Sequence, residues 1–231
     1  IINKKNNMGK KISRKQALVN ILAAVGSPIL AVPLFGLANI SKIGKPVPVR
    51  PIGNKDIKDP VTAITLGAGS RGNVYGNYAV EFPNELNIVG VAEPIEIRNE
   101  RYSHKHNISE KNRFDSWERV FEQPKFADAI IITTPDDLHY GPCMKALKMG
   151  YDILLEKPIA PTEQECRDIL ELQKKNGNIV AVCHVLRYAP YFINLKQLMD
   201  SGVLGDIVSI QHMEPIEHIH MSHSYVRGNW H

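Results

Sequence analysis

The rhythm of hydrophobic and polar positions along this 231-residue chain changes near residue 60. Beyond that point apolar runs at 61–66, 86–92, 129–133, 152–156, 178–183 and 207–211 alternate with longer polar stretches. Runs this short, rich in Val, Ile and Leu, predict strands, and unbroken apolar character predicts burial on both faces. The stretches between them space their apolar residues three or four apart, which predicts helices. The clearest covers 163–175 and is closed by Asn176-Gly177. Thr162 is its expected N-cap, and Glu165 three residues later completes a capping box. Strands alternating with helices predict an α/β fold with a doubly wound parallel sheet and right-handed crossovers. Ligands of such sheets lie beyond the strand C-termini, so the chemistry should sit in the loops that leave the strands.

Residues 1–58 follow a different pattern. A basic run at 10–15 precedes an apolar stretch at 17–38 that ends small-x-small at Gly36-Leu37-Ala38. That order is the one expected of an export signal. Ser13-Arg14-Lys15 followed by Leu18 resembles a twin-arginine signal in which Lys replaces the second Arg. An exported, periplasmic location is the expectation; a cytoplasmic or membrane-anchored protein, or an apolar arm packing on a partner subunit, are the alternatives. Gly26, Pro28 and Pro33 argue against a regular spanning helix, so no stable membrane span is expected after leader removal. Met8, directly before the basic run, reads as the start, with 1–7 as upstream sequence. Residues 39–58 read as a linker. The expected divisions are therefore 1–58 leader and linker, 59–183 the α/β domain, and 184–231 the beginning of a further domain.

Composition changes this picture in two places. The formal charge is +4, but ten of the 28 Lys and Arg precede residue 56, where no Asp or Glu occurs. The remaining 18 face 24 acidic residues, so the body is net −6 and a nucleic-acid partner is not implied. Cys143, Cys166 and Cys183 lack metal-ligand spacing and read as unpaired thiols.

The first predicted strand breaks into Gly67-x-Gly69-x-x-Gly72. Here Gly67 makes the tight turn, Gly69 leaves a pyrophosphate unobstructed, and Gly72 lets the following helix pack close to the strand. The helix N-terminus then points its N–H groups at the phosphates. The second strand ends in Glu93, the acidic residue that a ribose with free hydroxyls requires. Three further strand ends are unusual: Thr134-Pro135-Asp136-Asp137-Leu138-His139 after the run at 129, Glu156-Lys157-Pro158 after that at 152, and His184, Arg187 and Tyr188 after that at 178. Taken alone, His139 could be a helix N-terminal residue satisfied by backbone. Lys157 at a buried strand end is costly unless it is paired or functional, or unless it snorkels out to solvent.

In this order and spacing the motifs resemble the glucose–fructose oxidoreductase / inositol dehydrogenase / MocA family, from about residue 60 to the C-terminus. The resemblance implies an NAD(P)-binding Rossmann sheet followed by the truncated start of an α/β C-terminal domain. It also implies an NAD(P)-dependent oxidoreductase acting on CH–OH groups of sugars, polyols or sugar derivatives, and a homo-oligomeric parent protein. By the same resemblance Gly67, Gly69, Ser70, Arg71 and Gly72 contact the pyrophosphate and Glu93 the adenosine ribose. Thr134, Pro135, Leu138 and His139 line the nicotinamide half. Glu156 and Lys157 reach the nicotinamide ribose and the reacting carbon, with Lys157 as the catalytic residue. His184 faces the cofactor, and Arg187, Tyr188 and Trp230 the substrate. A lysine beside the oxidised ring would release its proton more readily through like charge and burial, which suits a base or proton relay. Glu93 favours NAD, while Arg71 and Arg98 leave NADP possible.

The sequence departs from the family where it stops: the second domain continues well beyond this length, and its catalytic histidine helix is absent. The expectation is an N-terminal fragment whose own activity is doubtful. His218, His220 and His223 are spaced i, i+2 and i+5, which puts them on no single helix face, and no metal site is expected. Two other functions stay open: an NAD-dependent glycosidase of the α-N-acetylgalactosaminidase type, against which Lys157 speaks, and a non-catalytic dinucleotide-binding fragment.

Overall fold

The computed structural model describes residues 59–227. Its centre is one six-stranded sheet: β1 (Val61–Leu66), β2 (Leu86–Ala92), β3 (Arg113–Phe114), β4 (Ala129–Ile132), β5 (Asp152–Leu155) and β6 (Val180–Val182). All neighbours pair in parallel, in the order β3-β2-β1-β4-β5-β6. The chain builds outward from β1 in one direction, then crosses back to start β4 on its other side. The crevice therefore opens at the C-terminal ends of β1 and β4, where the winding reverses.

Alternate residues of the central strands enter two separate cores. Ala63, Ala129, Ile131 and Leu154 pack on one face, with Tyr75, Tyr78 and Ala79 of α1 (Ser70–Glu81) and Tyr102 of α2 (Glu96–Lys105). Ile64, Leu66, Ile130, Ile132, Ile153 and Leu155 pack on the other. There they meet Val120 of α3 (Trp117–Val120), Cys143, Ala146 and Leu147 of α4 (Tyr140–Lys148), and Ile169 of α5 (Glu163–Asn176). Burial of both faces is why these strands read as unbroken apolar runs. The expected capping box of α5 forms, with Thr162 Oγ1 accepting from the Glu165 N–H and the Glu165 carboxylate accepting from the Thr162 N–H. Gly177 closes the helix in the left-handed region at φ 74°.

The pattern and the structure differ in three respects. The last residues of the runs at 129–133, 152–156 and 178–183 leave the ladder and become the loops that carry the site. β3 is only two residues long and had no apolar run to announce it. Residues 207–211 form no strand, because among the described residues no neighbouring strand offers them a ladder. Two compact units divide the described chain between Pro190 and Tyr191. The first carries the sheet and extends seven residues past the expected boundary at 183. The second contains most of α6 (Pro190–Asp200), the single turn α7 (His218–Met221) and a wide helical turn at Ser222–Val226.

Candidate cofactor site

Two of the three glycines after β1 are demanded by the protein itself. Gly67 has φ +91°, and a Cβ on it would stand 2.7 Å from the Thr133 carbonyl oxygen. A Cβ on Gly72 would stand 2.1 Å from the Gly67 carbonyl oxygen. Gly69 differs: a Cβ there would meet nothing within 4 Å among the described residues. It is the N-cap of α1, which has no side-chain cap and no acidic residue in its first turn. The leading N–H groups of a helix lack intrahelical partners, and here they open beside unfilled space with Ser70 exposed. Two residues outside the glycine pattern fix the turn. Thr133 Oγ1 donates to the Gly67 carbonyl (2.6 Å), and Asn73 Nδ2 donates to those of Ala68 (2.8 Å) and Gly69 (2.9 Å).

Glu93, at the tip of β2, is 4% exposed. Its Oε2 accepts from the Ala68 N–H inside the glycine turn at 2.7 Å, and its Oε1 from the Ile95 N–H at 3.1 Å. A buried carboxylate needs such donors. The acid of the second strand thus lies directly against the turn of the first.

The ends of β4 and β5 are tied together by His139, which is fully buried. Its Nδ1 lies 2.6 Å from the Pro158 carbonyl oxygen and its Nε2 3.0 Å from that of Thr134. Both neighbours are acceptors and a single tautomer carries one N–H, so the ring donates to one carbonyl and lies against the other, between the two loops. Thr134 Oγ1 donates to the Leu138 carbonyl, while Pro135 and Leu138 are exposed on the same turn. Burial pushes the Asp136 carboxyl up from its ordinary range, against the opposing pull of His139 and Lys157.

Arg71 and Glu156, assigned separately from sequence, meet as an ion pair. Arg71 Nε donates to Glu156 Oε1 at 2.6 Å, and Arg71 Nη2 to the Tyr75 hydroxyl at 2.8 Å. That hydroxyl donates to Glu156 Oε1 at 2.6 Å. Burial works against the Arg71 charge, but Tyr75 and Glu156 outweigh it and the guanidinium pKa is raised. Burial also pushes up the Tyr75 phenol, and the neighbouring Cys183 thiol to about 12. Tyr75, Asn73 and Thr133 escaped the sequence reading. Only Tyr75 left a usable signal, its position four residues after Arg71 on one helix face. Lys157 is exposed, so the burial expected at this strand end is not met; the backbone turns out of the sheet after Glu156. His184 and Arg187 are exposed beyond β6, whereas Tyr188 packs partly against the core of its unit. Among the described residues no side-chain hydrogen bond links these three to Glu156 or Lys157. Trp230 lies outside the described residues.

Residues 62–184 match the model of the Gfo/Idh/MocA oxidoreductase family, described as having an NAD-binding Rossmann fold. The chain belongs to this family. Among its relatives, the NAD(+)-dependent scyllo-inositol 2-dehydrogenase of Bacillus subtilis (strain 168) is 31% identical over 145 residues, 63% of this chain and 42% of that protein. An inositol 2-dehydrogenase/D-chiro-inositol 3-dehydrogenase of Lactiplantibacillus plantarum is 34% identical over 79 residues, 34% of this chain and 23% of that one. The crystal structure of myo-inositol 2-dehydrogenase from Lactobacillus plantarum shares the fold with a TM-score of 0.60 at 19% identity, covering 65% of this chain and 44% of that one. The match thus spans less than half the length of each of these Gfo/Idh/MocA relatives.

Proposed function

We propose that the protein is an NAD-dependent oxidoreductase that moves hydride between nicotinamide and a CH–OH carbon of a sugar, polyol or sugar derivative. The observation that carries this reading is Gly69. The fold requires Gly67 and Gly72, but among the described residues nothing fills the space a side chain at 69 would take. Room of that kind, in front of an uncapped helix N-terminus, suits a pyrophosphate. Glu93 supports NAD over NADP, since a carboxylate accepts from ribose hydroxyls and repels a 2′-phosphate. Of the two arginines that could hold such a phosphate, Arg71 is committed to Glu156.

When bound, the nicotinamide supplies the hydride acceptor or donor. The chain's own groups would orient it: Thr134, Pro135 and Leu138 along one wall, Glu156 and Lys157 along the other, with His139 clasping the two loops. We assign Lys157 Nζ to hold and move the substrate hydroxyl proton. Arg187 and Tyr188 are the candidates for substrate contact within the described residues. The inositol dehydrogenase relatives support a polyol as the substrate class, and the basic and apolar stretches at 10–38 support export. Fractionation of cells that express the whole protein should find it in the periplasm with its N-terminus beyond Ala38, and an uncleaved chain in the cytoplasm would sink the export reading.

Incubating the whole protein with NAD and a panel of polyols, sugars and aryl glycosides tests the reading. Steady NADH formation on a free polyol or sugar is expected. Release of the aryl group without net NADH would instead indicate the glycosidase chemistry, and binding without either would leave a nucleotide-binding module.

A further inference from the structure

The Glu156-Lys157-Pro158 turn is pinned on both sides of its lysine. Glu156 is 5% exposed and both of its carboxylate oxygens are engaged. Oε1 accepts from Arg71 Nε and the Tyr75 hydroxyl, each at 2.6 Å, and Oε2 accepts from the Lys157 N–H at 3.0 Å. The Glu156 N–H donates to the Ile132 carbonyl at 3.0 Å, and His139 holds the Pro158 carbonyl at 2.6 Å. Between these anchors the Lys157 side chain reaches outward, with the Pro158 ring exposed beside it. Arg71 and Tyr75 come from α1, the helix whose N-terminus faces the open side of Gly69. Their ion pair and hydrogen bonds therefore join the adenosine half of the sheet, β1 to β3, to the half beyond the winding switch.

We propose that Arg71 and Tyr75 are positioning residues for the nicotinamide side of the site and not phosphate ligands: they hold the Glu156 carboxylate, which in turn sets the backbone of Lys157. The proposal rests on the dinucleotide reading above. It gives Arg71, one turn from the phosphates, an effect on the far half of the cofactor.

Comparing NADH with ADP, which keeps the pyrophosphate but lacks the nicotinamide and its ribose, separates the two roles. Calorimetry on the full chain should find NADH bound about tenfold more weakly by Arg71→Gln. ADP affinity should stay within about twofold, which also reports an intact fold. Tyr75→Phe, which keeps the ring and removes only the hydroxyl, should shift NADH in the same direction by less, and Arg71→Lys should recover part of the loss. Equal loss of NADH and ADP in Arg71→Gln would make Arg71 a phosphate ligand and overturn the proposal, as would unchanged NADH binding in both Arg71→Gln and Tyr75→Phe. If the unaltered protein bound neither ligand, the dinucleotide reading would fall and the proposal with it.

Discussion

At the scale of single residues, the glycine turn separates what the fold needs from what a ligand needs. Gly72→Ala forces a methyl against the Gly67 carbonyl oxygen, a backbone atom in the same turn. A destabilisation of roughly 1–3 kcal/mol is expected from such overpacking, read as a lower midpoint in urea. Gly69→Ala meets no described neighbour at an ordinary φ of −72° and gives up only glycine's preference over alanine at a helix N-cap, so stability should fall by no more than about 1 kcal/mol while NADH affinity falls. Loss of stability without loss of NADH binding in Gly69→Ala would contradict the assignment. His106 supplies a second residue-scale test. Burial, with Lys105 nearby, lowers its pKa from 6.5 to about 4, and its Nε2 has no partner among the described residues. Between those two pH values the unfolded chain binds a proton that the folded one does not, so stability rises with pH through the window and is lost as the solution is acidified. Unfolding midpoints between pH 7 and pH 4 should decline less steeply in His106→Leu than in the unaltered protein. The candidate cofactor residues were legible because glycine, a strand-end acid and Glu-Lys-Pro are chemically unusual at those points. Their partners were not: nothing about Arg71 and Glu156, 85 positions apart, announces that one will neutralise the other.

At the scale of elements, α5 has the most complete local specification in the chain. Its N-cap, its capping box and its left-handed C-cap glycine were each readable and each form. Thr162→Ala should remove about 1 kcal/mol through the lost cap, and Gly177→Ala a similar amount, about 1 kcal/mol, because φ 74° strains any side chain. Thermal denaturation of the two variants and the double variant would check both, and near-additive effects are expected because the sites lie at opposite ends of the helix. The strands were equally plain where both faces are buried. Apolarity alone misleads at 207–211, which has the composition of a strand but no neighbour among the described residues. β3 has the neighbour and almost no composition, since its two residues pair with Val91 and Ala92 at the sheet edge.

For the molecule as a whole, every described group assigned to the dinucleotide lies in the unit that ends at Pro190. A chain covering 59–190 is therefore expected to keep ADP-ribose binding and to melt at higher temperature when ADP-ribose is added, by the mass-action stabilisation of a ligand that binds only the folded form. Absence of both effects, with the full chain binding normally, would move the site out of this unit. Among the described residues no helix is long and apolar enough to cross a membrane, and no cluster of His, Cys, Asp and Glu could hold a metal ion. The alternation of apolar runs and helical stretches was enough to reach a doubly wound parallel sheet, and a few strand-end motifs named the candidate cofactor residues around its crevice. Periodicity, turn chemistry and capping act within a dozen residues, so they can be read along the chain. The partner of each polar group was decided only by folding. Glu93 against the glycine turn, His139 between two loops, and Arg71 with Tyr75 on Glu156 depend on which strands became neighbours, and burial then made each carboxylate or ring take the donors or acceptors that the winding had brought within reach.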